Sequence, residues 1–169
     1  MQTIVKLYSL DFRQSKTYLL GALFIVGNLI FPQLCHLIPQ VGLIFLPIYF
    51  FTLIAAYKYG WKVGLMTAFM SPILNSLLFG MPMIASLPSI LFKSVLLATF
   101  AGMAATYFKK ATLSTLTCVV ITYQIVGTFF EWCIVGSLYI AIQDFRIGIP
   151  GIILQILGGY VFINYIFRK

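Results

Sequence analysis

Residues 83–142 read MIASLPSILFKSVLLATFAGMAATYFKKATLSTLTCVVITYQIVGTFFEWCIVGSLYIAI. Two apolar runs, 83–108 and 113–142, flank the pair Lys109 and Lys110, and each exceeds the roughly 20 residues a helix needs to cross the hydrocarbon core of a bilayer. Only Lys93 and Glu131 carry charge within them. A surface helix of a soluble domain would show a charged face opposite its apolar one. The stretch is therefore predicted to be a transmembrane helical hairpin with a cationic turn.

The same pattern extends to both sides. Further apolar spans are expected at 17–37, 43–57, 61–79 and 149–167, interrupted by Pro39, Gly60, Gly80 with Pro82, and Gly148 with Pro150. The second span is short and contains Pro47, which suits a tilted or partly re-entrant segment, and the fifth is the longest. Of the 169 residues, 62% are hydrophobic and 8% charged, whereas a soluble domain is about a quarter charged. The expectation is an all-α, polytopic membrane protein: one domain over 1–169, a bundle of six transmembrane helices, preceded by a short cytoplasmic or interfacial segment at 1–16. That segment mixes Ile4, Leu7, Tyr8 and Phe12 with Lys6, Asp11, Arg13 and Lys16.

Basic residues orient the bundle. Lys6, Arg13 and Lys16 precede the first span, Lys58 and Lys62 lie between the second and third, Lys109 and Lys110 between the fourth and fifth, and Arg168 and Lys169 after the sixth. Of eleven basic residues, only Lys93, inside a span, and Arg146, next to Asp144, fall elsewhere. Loop lysines and arginines are retained in the cytoplasm, so both termini are predicted to be cytoplasmic and the number of spans even. The net charge of +8 is thereby assigned to the membrane surface, and no nucleic-acid partner is expected.

One histidine, His36, and three acids, Asp11, Glu131 and Asp144, are expected to exclude a multi-histidine metal centre, a paired-carboxylate site in the membrane and the zinc-protease motif. Neither a P-loop nor a G-x-S-x-G elbow occurs. No enzyme activity and no cofactor are expected, and any energy from ATP must come from another polypeptide. Cys35, Cys118 and Cys133 sit in apolar runs and are predicted to be buried thiols that pack as small apolar side chains.

Function must then reside in polar residues inside the spans. Lys93 lies ten residues, roughly 15 Å, below the outer end of the fourth span, and Glu131 is at similar depth in the fifth. Unpaired at a helix centre, each would cost about 2.5 to 3.5 kcal/mol. Ser86, Ser89 and Lys93 share one helix face; Gln124, Thr128 and Glu131 share another. Asn75, Gln155, Gln33, His36 and Gln40 fall in the outer part of their spans. The candidate substrate-binding residues are Lys93, Glu131, Asn75, Gln155, Gln124, Trp132 and His36. Lys93 is expected to meet an anionic or carbonyl group, with Glu131 orienting it or accepting from a ligand N–H. Asn75 and Gln155 would supply amide hydrogen bonds. Trp132 either stacks on a planar substrate or faces lipid, and His36 is either a ligand or an interfacial side chain. Alternatively, Lys93 and Glu131 form a structural pair that fixes helix register.

The run LPIYFFTLIAAYKYGWKVGLMTAFMSPILNSLLFGMP, residues 46–82, carries Gly60, Gly64, Pro72, Asn75, Gly80 and Pro82 as its punctuation. With six short spans and cytoplasmic termini, the chain resembles the substrate-binding S component of the energy-coupling factor (ECF) transporters, bacterial importers of vitamins and micronutrients. The resemblance implies a multi-pass subunit of the bacterial cytoplasmic membrane that binds a vitamin-like small molecule near the outer surface. It also implies a transmembrane scaffold subunit and cytoplasmic ATPase subunits as partners. Where that family often carries alanine-xxx-alanine on its first helix for docking, this chain has Gly21 and Ala22 followed by Ile25 and Val26. Ala98, Gly102 and Thr106 on the fourth span offer a small-xxx-small stripe instead. Two alternatives stand beside this reading: a stand-alone or proton-coupled carrier using Glu131, and a structural membrane subunit without a ligand.

Overall fold

The structure, a computed structural model, describes residues 7–38 and 40–166. Ile4, Lys6, Pro39, Phe167, Arg168 and Lys169, which enter the expectations above, lie outside the described residues. Every described element is helical: α1 Ser15–His36, α2 Val41–Phe45, a 3-10 turn Pro47–Tyr49, α3 Phe50–Tyr59, α4 Trp61–Phe79, α5 Leu87–Phe108, α6 Leu113–Val135, α7 Leu138–Ala141, α8 Gln143–Arg146 and α9 Ile149–Val161, which continues as a π turn Phe162–Ile166. Five of these stretches, α1, α4, α5, α6 and α9 with its π turn, are long and apolar enough to cross a membrane. Their outer faces are apolar: Leu19, Leu77 and Tyr107 are each more than 70% exposed, and Cys118 and Cys133, expected to be buried, lie on the outer face of α6. Asn28, Thr52, Ser71, Gln124 and Gln155 are wholly buried. Apolar outside and polar inside is the distribution that lipid as solvent selects, and water does not.

The second predicted span, 43–57, is not one helix. Leu46 adopts φ 48°, ψ 47° ahead of Pro47, because the proline ring bars its predecessor from the right-handed helical region. The ladder stops, a 3-10 turn restarts it, and only the ten-residue α3 is continuous. This broken segment still runs the length of the bundle. Its start lies beside α9, where a Cβ on Gly151 would overlap the Phe45 backbone. Its end lies by the α5–α6 turn, where the Tyr57 hydroxyl donates to the Lys110 carbonyl at 2.8 Å. From Leu53 to Lys58 every residue of α3 is fully buried, and α1, α4, α5 and α9 surround it. Lys58 is thus a buried residue of the last turn of α3 rather than a loop charge.

Gly60 makes the reversal from α3 to α4 at φ 102°, ψ 159°, a conformation open only to glycine. The segment entering α1 crosses that corner: the Tyr8 N–H donates to the Lys58 carbonyl at 2.9 Å and the Leu10 N–H to the Tyr59 carbonyl at 3.2 Å. Asp11 then pairs with Lys62 at 2.5 Å, and the hydrogen bond from that ammonium holds its carboxyl below the usual range. Of the punctuation in 46–82, Gly60 and Gly80 end helices, whereas Gly64, Pro72 and Asn75 lie inside α4. The stripe on α5 is internal packing only in part: Ala98 and Gly102 are buried, with Ala101 and Ala105 beside them and Gly102 against Trp61, whereas Thr106 is exposed.

The fifth span is also shorter than its apolar run. Gly136, at φ 70°, caps α6 in the left-handed conformation. Residues 137–148 then fold back through α7 and α8 instead of prolonging the helix. The reversal brings an acidic residue of that connection to the interior.

Candidate functional site

Lys93 sits in the second turn of α5 with its side chain 3% exposed. Its stem runs against Gly127 of α6, where a Cβ would overlap Lys93 Cγ, so a glycine there admits the lysine between the two helices. One turn further along α6, the Glu131 carboxylate accepts from Lys93 Nζ at 2.5 Å. Asp144, from α8, accepts from the same nitrogen at 2.7 Å. The carboxylate side chains are 17% and 16% exposed, so the cluster opens toward the end of the bundle that carries α7 and α8.

Lys93 and Glu131 meet as their depths and facing stripes lead one to expect. Asp144, expected only as the chain neighbour of Arg146, joins Glu131 on the same ammonium, so the paired carboxylates that the small number of acids was expected to exclude are present, because the fold-back after Gly136 returns Asp144 to the bundle. Arg146 instead donates to the Tyr139 hydroxyl at 2.8 Å, with its guanidinium 3.9 Å from that ring centre. Asp144 is thereby left to Lys93. Expected to meet an anionic or carbonyl group, the Lys93 ammonium is instead bonded to two carboxylates of its own chain.

Behind this triad the interior stays polar. Gln124 and Thr128 occupy the face of α6 that carries Gly127 and Glu131. Among the described residues neither Gln124 amide atom, nor the Thr128 hydroxyl, has a hydrogen-bond partner. Gln155 of α9 accepts from the Tyr123 hydroxyl at 2.8 Å, while its Nε2 has none among them. Tyr123 packs against Tyr49, ring centres 5.6 Å apart, and both tyrosines lie within electrostatic reach of Asp144. A buried polar group without a partner costs about 1 to 3 kcal/mol. Several such groups in one region are what a solute-binding interior needs and what a purely structural core avoids.

Other candidates are placed elsewhere. Asn75 donates to the Asn28 carbonyl at 2.8 Å and to the Ser71 carbonyl at 3.0 Å, and accepts from Gln33 at 3.4 Å. Asn28 in turn donates to Thr52 at 3.0 Å and to Ser71 at 3.3 Å. This second network ties α1 to α3 and α4, and among the described residues no hydrogen bond or ion pair joins it to the triad. His36 is exposed at the end of α1, its ring against Gly42. Trp132, 42% exposed, packs edge-on to Phe129 on the outer face of α6. Gln40 is exposed beyond α1. Asp144, Tyr49, Tyr123 and Asn28 were not singled out from the sequence. For Asp144 a signal was present: Gly136 offers an early helix stop, which returns the following residues to the bundle.

A groove of about 750 Å³ lies at the opposite end of α5, walled by Trp61, Met103, Tyr107 and Phe108. None of its lining residues is charged, and it is remote in chain and chemistry from the triad. Among the described residues no group of three or more His, Cys, Asp or Glu could hold a metal ion. Comparison with protein-family models, curated proteins and solved structures finds no match, so the functional reading rests on the residues themselves.

Proposed function

We propose that this protein is a solute-binding subunit of a bacterial cytoplasmic membrane importer, of the kind formed by ECF-transporter S components. It takes a vitamin-like small molecule from outside and passes it to a transmembrane scaffold driven by cytoplasmic ATPases. It performs no chemistry on the solute. The chain crosses the bilayer six times in this reading, the broken segment 41–59 counting as one passage, and both termini are cytoplasmic.

The observation that carries this reading is the pairing of a largely buried charge cluster, Lys93, Glu131 and Asp144, with polar atoms that have no partner among the described residues: Thr128 and Gln155 in the same half of the bundle, and Gln124 deeper, at the middle of α6. Under the positive-inside orientation that half faces outward. The test is to purify the protein from cells grown in rich medium and identify bound small molecules by mass spectrometry. Uptake of the identified solute is then measured with and without the partner ATPases. A bound solute whose uptake needs the ATPases supports the reading, and uptake that persists without them defeats it.

A second reading is favoured by one specific feature, the presence of two carboxylates on a single lysine. If one of them exchanges a proton with the outside, the protein is a proton-coupled carrier with Glu131 or Asp144 as the proton site. Uptake would then follow the proton gradient and stop on adding an uncoupler, even with the ATPases intact.

A further inference from the structure

The charges of the triad do not cancel, and Lys58, the other buried cation, lies at the opposite end of the bundle. Lys93 contributes one positive charge and Glu131 with Asp144 two negative ones, and Arg146, the nearest basic residue along the chain, is turned outward onto Tyr139. Each carboxylate spends one oxygen on Lys93, Glu131 its Oε2 and Asp144 its Oδ2, and the other oxygen of each makes no hydrogen bond among the described residues. Lys93 has two of its three N–H donors taken by carboxylates whose charge exceeds its own, which leaves it little to offer an anion. An anionic solute would meet net negative charge at low dielectric, whereas a cation would complete the balance.

The rest of the site fixes the other end of the solute. Gln124 is fully buried, with both amide atoms unpartnered among the described residues, on the face of α6 that Gly127 turns toward Lys93. Seven residues separate it from Glu131, about 10.5 Å along the helix, with the unpartnered Thr128 hydroxyl between them. An amide that lacks both a donor and an acceptor partner is satisfied by a group presenting the two side by side, as an amide or an aminated nitrogen heterocycle does. We propose that the solute is a small organic cation, its charged end held by the free oxygens of Glu131 and Asp144 and its donor–acceptor end by the Gln124 amide. This inference rests on the solute-binding reading above and adds the solute's charge and polarity.

The test melts the full-length protein in detergent with three flat probes of one size: benzamidinium, a cation; benzamide, neutral; and benzoate, an anion. Benzamidinium is expected to raise the melting temperature most and benzoate not at all. Glu131→Gln and Asp144→Asn each leave Lys93 one carboxylate and a neutral pair, so both variants are expected to fold. Each should weaken the benzamidinium response about tenfold or more. A benzoate response equal to or above that of benzamidinium overturns the inference, as does a benzamidinium response unchanged in both variants. Gln124→Leu removes an unsatisfied buried amide at nearly constant volume, so it should raise the melting temperature of the empty protein while lowering the amount of solute retained through purification. A lowered melting temperature would make Gln124 a structural residue and overturn its assignment. An anion found bound to the purified protein overturns the charge class and leaves the solute-binding reading standing. No bound solute, with no response to any probe, removes both.

Discussion

Lys93 Nζ and Asp144 Oδ2 lie 2.7 Å apart across 51 positions of chain, joining α5 to the fold-back after α6. With Glu131 on the other side of the ammonium, the lysine is a shared cation for two acids rather than half of a pair. Its removal therefore differs in kind from the removal of either acid.

Lys93→Met leaves two carboxylates facing each other at low dielectric without a cation, and is expected to destabilise the protein by about 3 to 5 kcal/mol. Asp144→Asn or Glu131→Gln leaves a neutral pair and should cost less. Combining Lys93→Met with Asp144→Asn should recover part of the loss, because one uncompensated charge remains instead of two. Thermal unfolding of the four proteins in one detergent checks this ordering. Equal losses for Lys93→Met and Asp144→Asn would mean that the triad does not act as a charge balance.

Asn75→Ala separates stability from binding. The Asn75 amide is committed to the Asn28 and Ser71 carbonyls, so its loss should loosen α1 from α4 and cost about 1 to 2 kcal/mol. Affinity for whatever binds at the triad should change less than twofold, since the two networks are not connected. Binding of a co-purified solute, measured beside the melting temperature, tests both halves, and a large loss of affinity in a folded variant would place Asn75 in the site.

Orientation is open to chemical labelling. In a background lacking Cys35, Cys118 and Cys133, a cysteine at Tyr139 should react with a membrane-impermeant maleimide in intact cells, and one at Lys109 only after permeabilisation. Both positions are exposed, so accessibility does not confound the comparison. The reverse pattern would invert the bundle and face the triad toward the cytoplasm.

Asp11 gives a pH signature at the opposite end. Its carboxyl is held below the ordinary value of 3.8, chiefly by the hydrogen bond from Lys62. A lowered folded-state value favours folding above the ordinary value and loses that contribution as pH falls through the lowered one. The pair is exposed, so the effect is small and screened by salt. Melting curves of the wild type and Asp11→Asn should differ slightly near neutral pH and converge once pH falls below the folded-state value. A gap that persists at the lowest pH, or widens there, would assign Asp11 another role.

The sequence determined the solvent of this protein and much of its architecture. Runs such as 61–79 and 83–108, almost free of charge, can satisfy their backbone only as helices in lipid, although the second of them becomes helical only from Leu87. Depth and helical period put Lys93 opposite Glu131 for the same reason, since the cost of an unpaired charge leaves few alternatives. Two local backbone breaks are carried by single residues that hydropathy does not weigh. Leu46 before Pro47 broke the second span, and the left-handed Gly136 ended α6 early, although both stretches are as apolar as their neighbours. Hydropathy registers a preference for lipid and is blind to where a ladder of hydrogen bonds stops. The fold-back after Gly136 carried Asp144 to Lys93, and the packing of α1 on α4 drew Asn75 to Asn28. Partners 47 and 51 positions apart are chosen by which helix faces meet, and no local pattern in the chain encodes that choice.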